Sequence, residues 1–507
     1  MNWYIFGIVI YTAVIAGVTV IATRRIKSVS DFMVAGRKLR WWFLLPIFST
    51  LWFGGGTLIG ASGTALDCGI WSTEYAWGII PDPYGAGLCL FIIALFILPK
   101  LWKTRQETIF DHWRTRYGKK TTLVMMLLHI FAWIMWIGCE TLVIGKVASV
   151  VTGWSLSSCI WLGGIIVMAY TFAGGLWSVA FTDVVQFIVI IISVILFVPF
   201  AIKGIGGWSE FTANLDPQML HFFPTQVEGV SSLHAWWAWI AAWMIIGLGS
   251  TFAPDVVQAT YGAENEKEVK GSLMGAGVFY WVFGSLCVLL GLIGAAMFSK
   301  GFIMEDELLV AGEWDPELIL PVMVMKFFPL PLAVLFLGAV LASVMSCVDG
   351  ALVAGSSYLT KNIVKEWVKP DISDRGLLWC SRIFVAVLAL GAIGLILYFP
   401  YVYYLMMFSF DVALSAFVVP LFLGLHWKKA NGPGCISGAA AGLLFRIIAP
   451  GILEGWTFAT ITYPFDWYIY TVGAPLLNLV VMVIVSLVTQ KAYPALPLVN
   501  AEGKPVE

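Results

Sequence analysis

Ser49-Thr50-Leu51-Trp52-Phe53-Gly54-Gly55-Gly56-Thr57 sets three consecutive glycines in the middle of an apolar run over about 41–63. Each glycine weakens a helix interior by roughly 1 kcal/mol relative to alanine, so the run predicts a helix broken near its centre. A second interruption, Gly247-Leu248-Gly249-Ser250-Thr251-Phe252-Ala253-Pro254, falls in the apolar run over about 234–258. Pro254 lacks a backbone donor and turns the residue before it away from helix. The two interruptions lie five apolar runs apart. Interrupted helices at matching places in two halves of a membrane chain point to a solute and ion site near the midplane; the alternative is that glycine-rich helices simply pack closely. The implied design is two inverted five-helix repeats.

The rest of the chain supports a membrane setting. Of 507 residues, 60% are hydrophobic and 12% charged, about half the charged fraction of a soluble domain. Mean hydropathy is +0.89. The apolar runs are continuous rather than alternating, which argues for helices and against a β-barrel. Helices are expected at about 3–23, 41–63, 78–98, 121–152, 156–173, 180–202, 234–258, 270–298, 318–359, 378–397, 402–425, 433–450 and 466–490, numbered first to thirteenth below. The chain is thus expected to be an all-α polytopic membrane protein with about 13 transmembrane helices. The net charge of -1, with no basic tract, gives no sign of a nucleic-acid partner. The eight cysteines are scattered without a CxxC pair, so neither a disulfide framework nor a metal cluster is read. The first run has no basic leader and no cleavage site, and is read as a retained helix.

The basic residues set the direction. Alternate loops and the tail hold 23 of them, among these Arg24, Lys27, Arg37, Lys100, Arg116, Lys361 and Lys428; the opposite loops hold only Lys203 and Lys300. The positive side is cytoplasmic, so thirteen spans put the N-terminus outside and the C-terminus inside a plasma membrane. The expected layout is a leading helix and basic loop over 1–40, a first repeat over 41–202, and an external loop over 203–233. A second repeat over 234–425, two final helices within 426–490 and a short cytoplasmic tail over 491–507 complete it.

Four stretches resemble the sodium/solute symporter family, and within it the high-affinity choline transporter branch. They are Thr50-Leu51-Trp52-Phe53-Gly54-Gly55-Gly56; Gly174-Gly175-Leu176-Trp177-Ser178-Val179-Ala180-Phe181-Thr182-Asp183-Val184-Val185-Gln186; Leu337-Gly338-Ala339-Val340-Leu341-Ala342-Ser343-Val344-Met345-Ser346-Cys347-Val348-Asp349; and Ala441-Gly442-Leu443-Leu444-Phe445-Arg446. The resemblance implies the five-plus-five inverted-repeat (LeuT-like) transporter fold, alternating access and Na+ as the coupling ion, with no organic cofactor. It also implies a sodium site joining the broken second helix to the ninth, through the carbonyls of Thr50, Phe53 and Ser343 and the hydroxyl of Ser346. The fifth ligand position falls on Cys347, a thiol in place of a hard oxygen donor. A second sodium site between the sixth and ninth helices would use Asp183, Ser346 and Asp349. Asp183 has a plainer reading as a cap at the start of its helix, which favours a carboxylate. Asp349, deep in an apolar run, is expensive there and is also a candidate proton carrier.

The solute site implied by the resemblance is lined by Trp52, Gly54, Gly55, Gly56, Trp136, Phe252 and Ala253, with Tyr84 a further candidate. Trp136 stands where choline carriers have an aromatic cage residue, and aromatic faces attract quaternary ammonium groups. Two other cage tryptophans are replaced, by Ala253 and Met406. Glu140 follows Trp136 by one helical turn. It either meets a positive charge of the solute or pairs within the protein, Lys146 being the basic residue of the same span. Asp411 is a second intramembrane carboxylate with no assigned role. The reading is a secondary active transporter, a sodium-coupled symporter of a small polar organic solute, with a choline-like cationic or zwitterionic amine as the candidate. Proton-coupled symport of a carboxylate or amino acid and a transporter-fold sensor remain open. The five histidines form no catalytic cluster with paired acids, so no enzyme is read.

Overall fold

The computed structural model describes all residues except 1–2, 27, 72–77, 174, 225–231, 311, 458–460, 462–466 and 507. Lys27 and Gly174, singled out above, therefore lie outside the described residues. Helix occupies each of the thirteen expected segments. Among the described residues nine helices are long and apolar enough to cross a membrane, and Leu233–Gly249 with Pro254–Tyr261 forms a further span bent by 42°. Val9–Thr23, Trp41–Thr50 and Leu156–Ala169 are apolar but shorter.

Both expected breaks are present. The second span runs as a helix over Trp41–Thr50, loses regular geometry over 51–54, and resumes as helix to Cys68. The seventh is helical over Ser232–Gly249 and again over Pro254–Tyr261. In the second span the glycines do more than weaken the helix. A Cβ on Gly54 would stand 2.4 Å from Glu140 Oε2, on Gly55 2.5 Å from Val143 Cγ2, and on Gly56 2.5 Å from Met406 Sδ. The fourth and eleventh helices thus reach the backbone itself at the break.

Three expectations need correction. The single ninth helix over 318–359 is two, Ile319–Phe327 and Leu330–Leu359, because Pro329 and Pro331 follow a lysine-phenylalanine end. The sixth helix begins at Leu176 rather than near 180, so Asp183 lies two turns inside it and cannot cap its start. The chain is also not helical throughout, since Leu309–Val310 pairs antiparallel with Glu313–Trp314 in the loop before the ninth helix. A further short helix, Ile109–Tyr117, lies between the third and fourth spans and starts in a capping box of Thr108 and Asp111.

The broken second helix sits at the centre of the packing. Its halves lie along Glu266–Ser299, the first half also touches Leu176–Ile205, and Leu176–Ile205 packs along Leu330–Leu359. The first helix rests against those last two from outside and exposes Val9, Ile10, Val14, Val20 and Ile21. Such a face is apolar on the side away from the protein, as lipid requires. The last two spans, Gly432–Glu454 and Trp467–Thr489, pack on each other. They are tied to the eleventh span by a buried ion pair between Arg446 and Asp411, with Thr471 donating to Asp411 at 3.0 Å. Asp411, unassigned from sequence, is a structural partner.

Candidate functional site

Two polar clusters flank the break in the second helix. At its restart, Gly55 N donates to Glu140 Oε2 at 2.7 Å and Gly56 N to Oε1 at 3.1 Å. A helix N-terminus carries unpaired N–H groups and a partial positive charge, and here an internal carboxylate takes them with both oxygens. Glu140 is fully buried. Its partner is therefore backbone, not Lys146. Lys146 instead holds Asp315 at 2.6 Å and also Glu317, and Glu317 accepts from Tyr403 N at 2.9 Å at the start of the eleventh helix.

The aromatic residues divide. Trp52 and Trp136 are buried around the break, Trp136 with its ring 5.1 Å from Phe410. Met406 reaches Gly56 beside Glu140. Ala253 precedes the restart of the seventh helix and is buried. Phe252 turns elsewhere, stacking on Phe417 at 4.9 Å and meeting Trp113 at 5.3 Å, His129 at 5.1 Å and Phe110 at 5.7 Å. Tyr84 packs on Phe222 at 5.3 Å and Trp243 at 6.4 Å. Among the described residues no ring contact or hydrogen bond joins it to Trp52, Trp136 or Glu140. Asp315 and Glu317 also line a cavity of about 160 Å³ with Asp67, Cys68, Trp314, Tyr401 and Tyr404.

The residues of the two expected ion sites form one connected cluster. Ser346 Oγ lies 2.8 Å from Thr50 Oγ1 and 2.7 Å from Asp183 Oδ1. Cys347 Sγ donates to the Thr50 carbonyl at 3.2 Å. Ser343 Oγ turns back on Val340 O at 3.0 Å. Phe53 follows directly on Trp52 in the break, and its ring meets those of Phe279 and Tyr280. Asp349 is buried on the same helix, and Tyr11 of the first helix stands within electrostatic reach of it and of Asp183. Thr50 and Ser346 thus link what sequence reading treated as two sites. Oxygens from the second, sixth and ninth helices meet here in direct hydrogen bonds, and the thiol of Cys347 occupies the Thr50 carbonyl.

Asp82 was not singled out from sequence. It stands between Pro81 and Pro83 at the head of the third span, and an intramembrane carboxylate is a site candidate on cost alone. Its Oδ1 lies 2.9 Å from the hydroxyl of Tyr280 of the eighth helix, which is also 2.6 Å from the Trp52 carbonyl at the break. Tyr280 gives no periodic or motif signal, and only the fold brings it here.

Residues 32–442 match the family model described as the sodium:solute symporter family. The high affinity choline transporter 1 of Homo sapiens is 25% identical over 402 residues, covering 78% of this chain and 67% of its own. The sodium/proline symporter of Haemophilus influenzae is 25% identical over 456 residues, covering 87% and 85%. Among solved structures, a Na+-coupled sialic acid symporter in a substrate-bound outward-open state aligns over 98% of this chain and 99% of its own. The TM-score is 0.75 at 18% identity. A nucleobase-cation-symport-1 family transporter aligns over 91% and 95% with a TM-score of 0.53 at 16% identity. The fold is the five-plus-five inverted repeat of such transporters.

Proposed function

The chain belongs to the sodium:solute symporter family and moves its solute with sodium by alternating access across a membrane; on that premise we propose that the solute is a small organic cation, an amine without a carboxylate. The observation that carries this reading is Glu140 on the N–H groups of Gly55 and Gly56. A helix N-terminus at a broken span is a ready site for an anionic solute group. Here a side chain of the protein fills it, so a solute carboxylate meets a buried negative charge instead of free donors. Each Glu140 oxygen retains a lone pair for an ammonium N–H, and Trp52 and Trp136 supply π faces for the same cation. Ala253 and Met406, where choline carriers have tryptophan, leave a wider and softer wall, which suits a bulkier amine than choline.

The ion sites are part of the proposal. Sodium would take the carbonyls of Thr50, Phe53 and Ser343 and the hydroxyl of Ser346, with Cys347 withdrawing its thiol from Thr50. A second ion would lie between Asp183, Ser346 and Asp349. The N-terminus is placed outside a plasma membrane and the C-terminus in the cytoplasm, with repeats over 41–202 and 234–425.

The test is accumulation in liposomes holding the purified chain, under an inward sodium gradient. Choline, a series of bulkier tertiary and quaternary amines, and proline are offered in turn. Sodium-driven uptake of an amine, weakened at least tenfold in apparent affinity by Glu140→Gln, is expected. Uptake of proline or a neutral solute with affinity indifferent to Glu140→Gln would refute the amine reading and leave the symporter assignment standing.

A further inference from the structure

The second cluster at the break holds more acceptors than hydrogens. The Tyr280 hydroxyl lies 2.6 Å from the Trp52 carbonyl, 2.9 Å from Asp82 Oδ1 and 2.5 Å from Thr57 Oγ1. Thr57 Oγ1 is in turn 3.4 Å from the Trp52 carbonyl. Tyr280 and Thr57 carry one hydrogen each, and a carbonyl carries none. If Tyr280 donates to Trp52 and Thr57 to Tyr280, the contact with Asp82 has no hydrogen unless Asp82 supplies it. If Tyr280 donates to Asp82, its 2.6 Å contact with the carbonyl sets lone pairs against lone pairs. One positive charge is missing from the cluster. Asp82 is 1% exposed and its Oδ2 has no partner among the described residues.

We propose that Asp82 carries a proton in this arrangement, making the break in the second helix a proton site separate from the Thr50–Ser346–Asp183 cluster. A metal ion fits the spacing poorly. Oxygens gathered about a hard cation at roughly 2.4 Å stand about 3 Å or more apart, whereas three of these contacts are 2.5–2.9 Å. The titratable groups around Asp82 are Tyr280 and Cys287 on the eighth helix, Glu140 on the fourth and Tyr403 on the eleventh. None of them is a cation. A second ionised carboxylate beside Glu140 would stand unneutralised in an apolar setting, which is costly.

The proton comes from bulk water while the site is open. Protonated Asp82 donates to the Tyr280 oxygen, which frees the Tyr280 hydrogen for the Trp52 carbonyl at the end of the first half-helix. Loss of the proton turns the Tyr280 hydrogen to Asp82 and releases that carbonyl. Proton occupancy is thereby linked to the residue whose ring flanks the solute.

Infrared spectroscopy of the purified full chain in dodecyl maltoside, a detergent without carbonyl groups, tests this at neutral pH. Wild type minus Asp82→Asn should show the C=O stretch of a protonated carboxyl, identical in sodium chloride and potassium chloride. Tyr280→Phe should keep that band and raise its frequency, because the hydrogen bond that the carboxyl donates to the Tyr280 oxygen is removed. An ionised carboxylate signature in the same difference overturns the proposal. So does a carboxylate band that moves when sodium replaces potassium, which makes Asp82 a metal ligand. If Asp82→Asn does not fold, wild type is compared with Tyr280→Phe alone, and an unchanged carboxyl region overturns the proposal.

Discussion

Glu140 shows how much one side chain decides here. Its charge and its two backbone hydrogen bonds act together at the break. Glutamine can accept from one N–H but turns its amide hydrogens on the other. Glu140→Gln should therefore lower thermal stability modestly as well as weaken amine binding, whereas a residue serving only the solute would change binding alone. Gly54→Ala should be worse, because its Cβ would stand 2.4 Å from Glu140 Oε2 in a packed interior. A cost of about 1–3 kcal/mol is expected, read as a fall in melting temperature in detergent. In the ion cluster, Ser346 bridges Thr50 and Asp183 while Cys347 occupies the Thr50 carbonyl. Ser346→Ala should raise the sodium concentration needed for half-maximal transport. Cys347→Ser should lower it or leave it unchanged, and a sharp rise in that variant would remove Cys347 from the site.

At the scale of helices, a buried charge pair and a partly exposed one hold elements together. Arg446 and Asp411 fasten the twelfth helix to the eleventh, with the Arg446 guanidinium over Phe408 and its Nη1 on the Ile461 carbonyl. Arg446→Met leaves a carboxylate buried without its cation, and a loss of about 3–5 kcal/mol is expected. Solute affinity in the protein that still folds should be near wild type. The loop helix Ile109–Tyr117 is pinned by Asp111, which accepts from Lys361 at 2.8 Å and Asn362 at 2.9 Å. Burial pushes its carboxyl up, but Lys361 and the hydrogen bonds outweigh that and hold it below the ordinary value. A depressed carboxyl stabilises the fold above its unfolded-state value and loses that stabilisation as pH falls through its folded one. Asp111→Asn should accordingly destabilise the protein at neutral pH, and the gap to wild type should narrow on acidification. A gap independent of pH would show that the charge of Asp111 is not what matters.

For the whole molecule, orientation can be tested. Cys68 borders the cavity lined by Asp315 and Glu317 and is partly exposed. On the proposed orientation, with the basic loops cytoplasmic, that cavity faces outward. An impermeant thiol reagent added to intact cells should then modify Cys68, and Lys146→Met should speed the reaction several-fold by freeing Asp315 and Glu317 at the wall of its cavity. Modification only after the cells are opened would reverse the topology.

Much of this was legible without coordinates. Long apolar runs need helices in lipid, a glycine triplet and a proline break two of them, and basic residues concentrate in alternate loops; these signals are local in sequence and survive any packing. The breaks at 51–54 and 250–253 and the gathering of oxygens near Thr50 and Ser346 follow from them and from the family resemblance. What each buried charge pairs with was not legible, because a partner is chosen by proximity in three dimensions. Glu140 meets Gly55 and Gly56 from 85 and 84 residues away, and Tyr280 meets Asp82 across 198. Lys146 passes over Glu140 on its own helix for two acids in a distant loop. A helical sequence tells which residues share a face, but the neighbour brought against that face is set by the tertiary packing of other helices. In a low-dielectric interior the nearest donors then decide what each carboxylate does.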